Sequence, residues 1–93
     1  MFYVYVLQSE KDDGLYIGYS SDLRRRFGQH QAGESLSTKD RCPWLLIYYE
    51  AYLMESDAIG RELFLKSGAG RRFLKKQLKN HFEMKPQRGS TST

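Results

Sequence analysis

Of 93 residues only one is a cysteine and two are prolines, and no apolar run approaches the eighteen or so residues of a membrane span. The lone thiol, Cys42, excludes an intramolecular disulfide and any zinc site built on a cysteine pair. Cys42 itself, before Pro43, reads as an inert loop thiol. A single thiol is most easily kept in a reducing compartment, so a cytoplasmic location is expected. The N-terminus lacks the basic-then-apolar layout of a signal peptide, and no repeat or linker divides the chain.

A chain of this length forms one domain, which buries roughly 60 to 65% of the surface its unfolded form exposes. Its formal charge is +4, and the basic residues are bunched at Arg24, Arg25 and Arg26 and again at Arg71, Arg72, Lys75, Lys76 and Lys79. Clustered cations displace condensed counterions from phosphates, so the bunching favours a polyanion as partner. A solvated, solubilising helix face accounts for the same charges equally well.

The stretch Phe2 to Gln8 is rich in Val and Tyr on both alternating sets, which suits a strand covered on both faces. "SEKDDG" supplies a turn with Asp13-Gly14 as its tight end, and Leu15 to Tyr19 returns as a second strand. Ser20 and Ser21 are candidate caps for a helix from about Asp22 to Ala32 that stops at Gly33. Residues Glu34 to Pro43 read as a loop, and Trp44 to Tyr52 as a third strand. Ser56 can cap a second helix to about Ser67; "SGAG" then interrupts before a third, basic helix from Arg71 to about Glu83. The order β-β-α-β-α-α predicts an α+β domain over residues 1–84, a small three-stranded, mainly antiparallel sheet packed with helices. A disordered polar tail is expected over residues 85–93.

Helix positions i, i+3, i+4 and i+7 share a face. In the first helix Leu23 and Phe27 take two of these positions, and Arg26 and His30 take the others. In the second, Ile59 and Leu63 are joined by Glu62 and Lys66. A buried charge costs several kcal/mol unless it is paired, so such charges need a reason. One reason is an edge position, with Glu62 and Lys66 forming a surface pair of about 0.2 to 0.5 kcal/mol. The other is phosphoryl chemistry: a carboxylate for a divalent metal, an arginine for charge developing on phosphate, and a Tyr or His to accept a proton from water. If Leu7 pairs with Tyr16, then Tyr5 and Tyr16 share one face as diagonal neighbours, ready to join that set.

The ordered strings "YVYVL", "LYIGYS", "DLRRRFGQH" and "REL" resemble the GIY-YIG nuclease domain, and more closely its small stand-alone branch related to the nuclease half of the bacterial ABC excinuclease. The likeness runs from about Phe2 to Leu78. It implies a metal-dependent DNA endonuclease, structure-selective and working in DNA repair or processing, with one Mg²⁺ or Mn²⁺. By the same resemblance Glu62 holds the metal, Tyr16 activates water, Arg26 stabilises the transition state and Tyr5 orients the nucleophile or phosphate. Gly18, His30 and Lys66 are supporting positions. Arg24, Arg25, Lys39, Arg41, Arg71, Arg72 and Lys75 are candidates for nucleic-acid contact; for Lys39 and Arg41, with Thr38 beside them, a solvated loop is the competing reading. DNA is the expected partner, with RNA left open, no membrane is implied, and a monomer is favoured. Two departures stand out: the name-giving glycine is absent from "Tyr3-Val4-Tyr5", and Tyr19 stands where excinuclease relatives carry lysine. A nucleic-acid-binding module that cuts poorly, or an interaction partner within a repair complex, are the alternative readings.

Overall fold

The computed structural model describes residues 1–87. Two strands, β1 (Phe2–Ser9) and β2 (Leu15–Ser20), precede helix α1 (Leu23–Gln31). A short 3-10 turn (Lys39–Arg41) leads into β3 (Trp44–Tyr52), and three helices follow: α2 (Glu55–Lys66), α3 (Gly68–Gln77) and α4 (Lys79–Met84). The sheet is antiparallel throughout, in the order β2-β1-β3, so the α+β architecture expected from the element order is the one observed.

Alternation along the central strand assigns the two faces. Val4 and Val6, with Ile17, meet Ala58 and Leu65 of α2 and Leu74 of α3. Tyr5 and Leu7 point the other way and pack with Trp44, Tyr16, Leu46 and the Leu23 and Phe27 side chains of α1. The result is a sheet between two helical layers. Leu7 pairs with Tyr16, the register assumed from the sequence, and an irregularity at Val6/Leu7 adjusts the pairing with β3.

Several local expectations are corrected. Asp22, not Ser20 or Ser21, caps α1, its carboxylate accepting the Arg25 N–H at 3.1 Å, while Ser20 closes the turn before it. Helix α2 starts at Glu55, one residue ahead of the expected cap Ser56, and has no side-chain cap. The break expected at "SGAG" is confined to Ser67, and the three residues after it already belong to α3: Ser67 accepts the Gly70 N–H at 3.1 Å. A side chain at Gly70 would overlap the Phe64 carbonyl oxygen, so glycine lets α3 lie directly on the end of α2. The basic third helix is in fact two, separated at Leu78. The tight end of the hairpin does fall at Asp13-Gly14, with Asp13 in the left-handed region at φ 61°.

The apolar stripe of α2 is also rotated from its expected place. Ala58 and Leu65 are buried, whereas Leu63 is 64% exposed and Ile59 lies at the surface. The rotation has a partner on the sheet: Arg61 grips Glu50 of β3 through Nε at 2.8 Å and Nη2 at 3.0 Å, and the Tyr48 and Tyr52 hydroxyls donate to the same carboxylate. The guanidinium also lies over the Phe64 and Phe73 rings, at 5.0 and 4.6 Å. Burial alone would raise the Glu50 carboxyl, but Arg61 and the two phenols outweigh it and hold it below the ordinary carboxylate range. Replacing Arg61 by alanine leaves a half-buried carboxylate without its cation and should cost about 2 to 3 kcal/mol. For a domain of this size that is a melting temperature lower by roughly 10 °C or more. A midpoint within two or three degrees of the parent would show that this clamp does not hold the helix to the sheet.

The chain closes on itself at one end of the sheet. Buried Gln8 donates to the Asp13 and Lys85 carbonyls at 3.1 and 3.2 Å and meets His81 Nε2 at 2.7 Å, while Lys85 Nζ pairs with Asp13 at 2.7 Å. Lys85, the first residue of the expected tail, is thus anchored. Residues 88–93 of that tail lie outside the described residues.

Candidate active site

The expected site gathers around one phenol. Tyr5 is 1% exposed and His30 is fully buried, with the Tyr5 hydroxyl 2.9 Å from His30 Nε2. The other ring nitrogen, Nδ1, lies 2.7 Å from the hydroxyl of buried Thr38, whose carbonyl accepts the Trp44 indole N–H at 3.2 Å. The half-buried ring of Tyr16 closes the group, 5.0 Å from His30, 6.1 Å from Trp44 and 6.4 Å from Tyr5 between centroids. The two tyrosines therefore share a face as their register requires.

Gly18 faces Tyr5 across the hairpin. A Cβ at this position would stand 2.6 Å from the Tyr5 hydroxyl and 2.7 Å from its ring carbon. Those atoms belong to a buried ring held by His30, so they have little room to yield. Glycine is what permits the phenol to lie across the edge strand.

Arg26 is half-buried on the inner side of α1, as the helical spacing predicted, with hydrogen bonds to Gln29 at 3.0 Å and Ser35 at 3.5 Å. Burial, together with the Tyr16 phenol, pushes the Tyr5 hydroxyl up to about 12; Arg26 offsets part of this and the Glu62 charge adds to it. His30 is lowered to about 4, by burial first and by Arg26 second. At neutral pH both groups are uncharged, which suits them to hold and orient rather than to take up a proton.

Glu62 arrives from the opposite layer. Its side chain is 17% exposed and pairs with Lys66 at 3.1 Å, while Lys66 itself stays largely in solvent. The Glu62 charge acts both on Tyr5 and on Tyr19, whose hydroxyl donates to Glu55 at 2.9 Å. These two phenols lie on either side of β2, so the layers couple electrostatically across the edge strand beside Gly18. Arg26 and Glu62 come from helices that pack on opposite faces of the sheet, and the charges of both reach Tyr5.

The expected nucleic-acid contacts are similarly divided. Arg24 and Arg25 are exposed on α1, while Arg71, Arg72 and Lys75 are exposed on α3 in the other helical layer. Arg41 grips Asp12 at 2.8 Å and covers Trp44 at 4.9 Å, which fixes the loop to the hairpin, and Lys39 beside it is exposed. Thr38, read as part of a phosphate-reaching or solvated loop, is instead the buried floor under His30. No local pattern marks it, because its partners come from α1 and β3. Cys42 spends its thiol on the His30 carbonyl, at 3.0 Å.

The refusal of His30 to take a proton has a measurable consequence. Between pH 6.5 and 4 the unfolded chain binds a proton there that the folded chain does not, so stability is full above pH 6.5 and falls as the solution is acidified. His81, lowered by burial and by Lys85, acts in the same direction. Asp12, held near 2 chiefly by its hydrogen bond to Arg41, adds a loss only below about pH 4. Urea unfolding should show about 2 kcal/mol less stability at pH 4.5 than at pH 7, and His30→Gln should remove most of that difference. An equal pH dependence in the two proteins would mean that His30 does not carry it.

Among the described residues no group of three or more His, Cys, Asp or Glu side chains is placed to hold a metal, and no helix is long and apolar enough to cross a membrane. A family profile described as the GIY-YIG catalytic domain matches residues 1–77. A UPF0213 protein of Haloquadratum walsbyi is 39% identical over 66 residues, 70% of this chain and 73% of that one. A UPF0213 protein of Staphylococcus haemolyticus is 36% identical over 74 residues, 78% of this chain and 89% of that one. Among solved structures, the solution NMR structure of a UPF0213 protein from Bacillus halodurans superimposes with a TM-score of 0.51 at 31% identity, covering 87% of this chain and 85% of that one.

Proposed function

Because this chain belongs to the GIY-YIG catalytic-domain family, generally nucleases, we propose that it hydrolyses phosphodiester bonds in DNA with one divalent cation. The observation that carries the reading is the convergence on Tyr5: His30 holds its hydroxyl, Gly18 makes room for it, and the opposite charges of Arg26 and Glu62 are both felt there.

Glu62 is the residue that would hold the cation. A single enclosed carboxylate fits Mg²⁺ or Mn²⁺, since Mg²⁺ in phosphoryl sites commonly keeps several waters and takes other oxygens from the substrate. Such an ion supplies Lewis-acid polarisation of phosphate. The chain supplies the rest. Arg26 faces charge building on the phosphate oxygens. Tyr5, protonated and fixed, orients the phosphate or the attacking water through its hydroxyl. Tyr16, less enclosed than Tyr5, would receive the proton of water at its phenolic oxygen once it has released its own to solvent. Arg24 and Arg25 offer the backbone two exposed cations close to that centre.

Separate substrates test the reading: nicked, flapped, branched and single-stranded DNA and their RNA counterparts, each with Mg²⁺, Mn²⁺ or EDTA. Cleavage of at least one DNA in metal and none in EDTA is expected, with a preference for an irregular structure as in repair or processing. Binding that weakens steeply with salt, without cleavage of anything, would reduce the chain to a nucleic-acid-binding module.

A further inference from the structure

A depression lies on the sheet side of α1. It is a groove of about 470 Å³ between α1 and the sheet, walled by Leu23, Phe27 and Leu46 and rimmed by Tyr3, Tyr49 and Arg24. Its volume lies in the range of small-molecule sites, roughly 300 to 1,000 Å³. The floor is apolar and aromatic. Tyr49 is the register partner of buried Tyr5, yet it is 53% exposed, because α1 covers only part of this face. Tyr3 meets it edge-on, at 6.1 Å and 62°, which leaves a face of the Tyr49 ring open.

The rim is cationic where it matters. Arg24 is exposed and makes no salt bridge among the described residues. The one acidic residue there, Asp22, is spent on capping α1. Ser21 and Asp22, which border the groove, also border a second depression lined by Arg25, Arg26 and Gln29. Aromatic floor and phosphate-binding flank therefore sit side by side across the start of one helix. An unpaired nucleobase has both properties as a ligand: a flat ring that stacks on aromatics and a phosphate tethered to it.

We infer that this groove binds an unpaired nucleobase, stacked on Tyr49, whose adjoining phosphate lies toward Arg24 to Arg26. The choice of ligand rests on the nuclease reading, but the site is a binding site whether or not the chain cuts. It makes a strand with an unstacked base the preferred substrate, since a base held in a duplex cannot enter the groove.

The test runs in EDTA, so nothing depends on cleavage. A single-stranded oligonucleotide bearing 5-iodouracil should photocrosslink to the peptide carrying Tyr49 or to that carrying Tyr3. Tyr49→Ala should weaken binding of the single strand about tenfold, Tyr49→Phe should bind as the parent, and a blunt duplex should be affected less than about twofold by either. Crosslinks confined to other peptides, equal affinity for Tyr49→Ala, or failure to bind any nucleic acid would each overturn the assignment. Tyr49-dependent binding without metal-dependent cleavage would reject the nuclease reading alone, and cleavage without the crosslink would reject this groove alone.

Discussion

Glu62→Gln should lower DNA cleavage roughly 10³-fold or more, the loss of about 4 kcal/mol of transition-state stabilisation, while affinity for the same DNA stays within a few-fold. The exchange keeps size and shape and removes a charge that has one ion-pair partner among the described residues, Lys66, so little of the fold depends on it. The carboxylate is also the least of the influences that raise the Tyr5 phenol, so its neutralisation should let the hydroxyl titrate slightly lower. A titration of the tyrosine absorbance in the variant reads this without reference to activity. Full cleavage by Glu62→Gln would sink the assignment of the carboxylate.

Gly18→Ala is the second substitution with a large expected effect. The added methyl stands 2.6 Å from the Tyr5 hydroxyl, in a place where the ring is packed against Leu7 and Trp44 and tied to His30. Overpacking of this kind costs about 1 to 3 kcal/mol. A displaced phenol should lower cleavage by about 10²-fold, the usual penalty for a reacting group shifted by an ångström. The two effects separate in the double variant. Tyr5→Phe removes the atom nearest the new methyl, so stability should be partly regained beside Gly18→Ala while cleavage remains low. If Gly18→Ala melts and cuts like the parent, the close approach is not limiting.

How far the sequence led depended on whether a residue's partners were local. The hairpin was legible because alternation, turn residues and the pairing of Leu7 with Tyr16 all act within one short segment. Arg26 and His30 were legible because four residues of one helix decide their face. The stripe of α2 was misread because Ile59 and Leu63 have the right hydropathy, but the helix turns to bury the smaller Ala58 and to bring Arg61 to Glu50. That pairing joins separate elements and leaves no spacing to detect. Thr38 escaped for the same reason, as a polar loop residue whose burial is decided by a histidine and a tryptophan elsewhere in the chain.

The strand order carries a consequence for how the domain assembles. The strand that comes earliest in the chain is the central one, and it is completed only when β3 returns from beyond α1 and the loop. The β1–β2 ribbon can form early from neighbouring residues, but one whole edge of β1, the strand that carries Tyr5, waits for a distant segment. Until then that edge is an unfilled row of donors and acceptors, open to any other extended chain. Crowding of nascent or partly unfolded copies should therefore favour strand exchange at β1, and excess β3 peptide should compete with refolding at that edge.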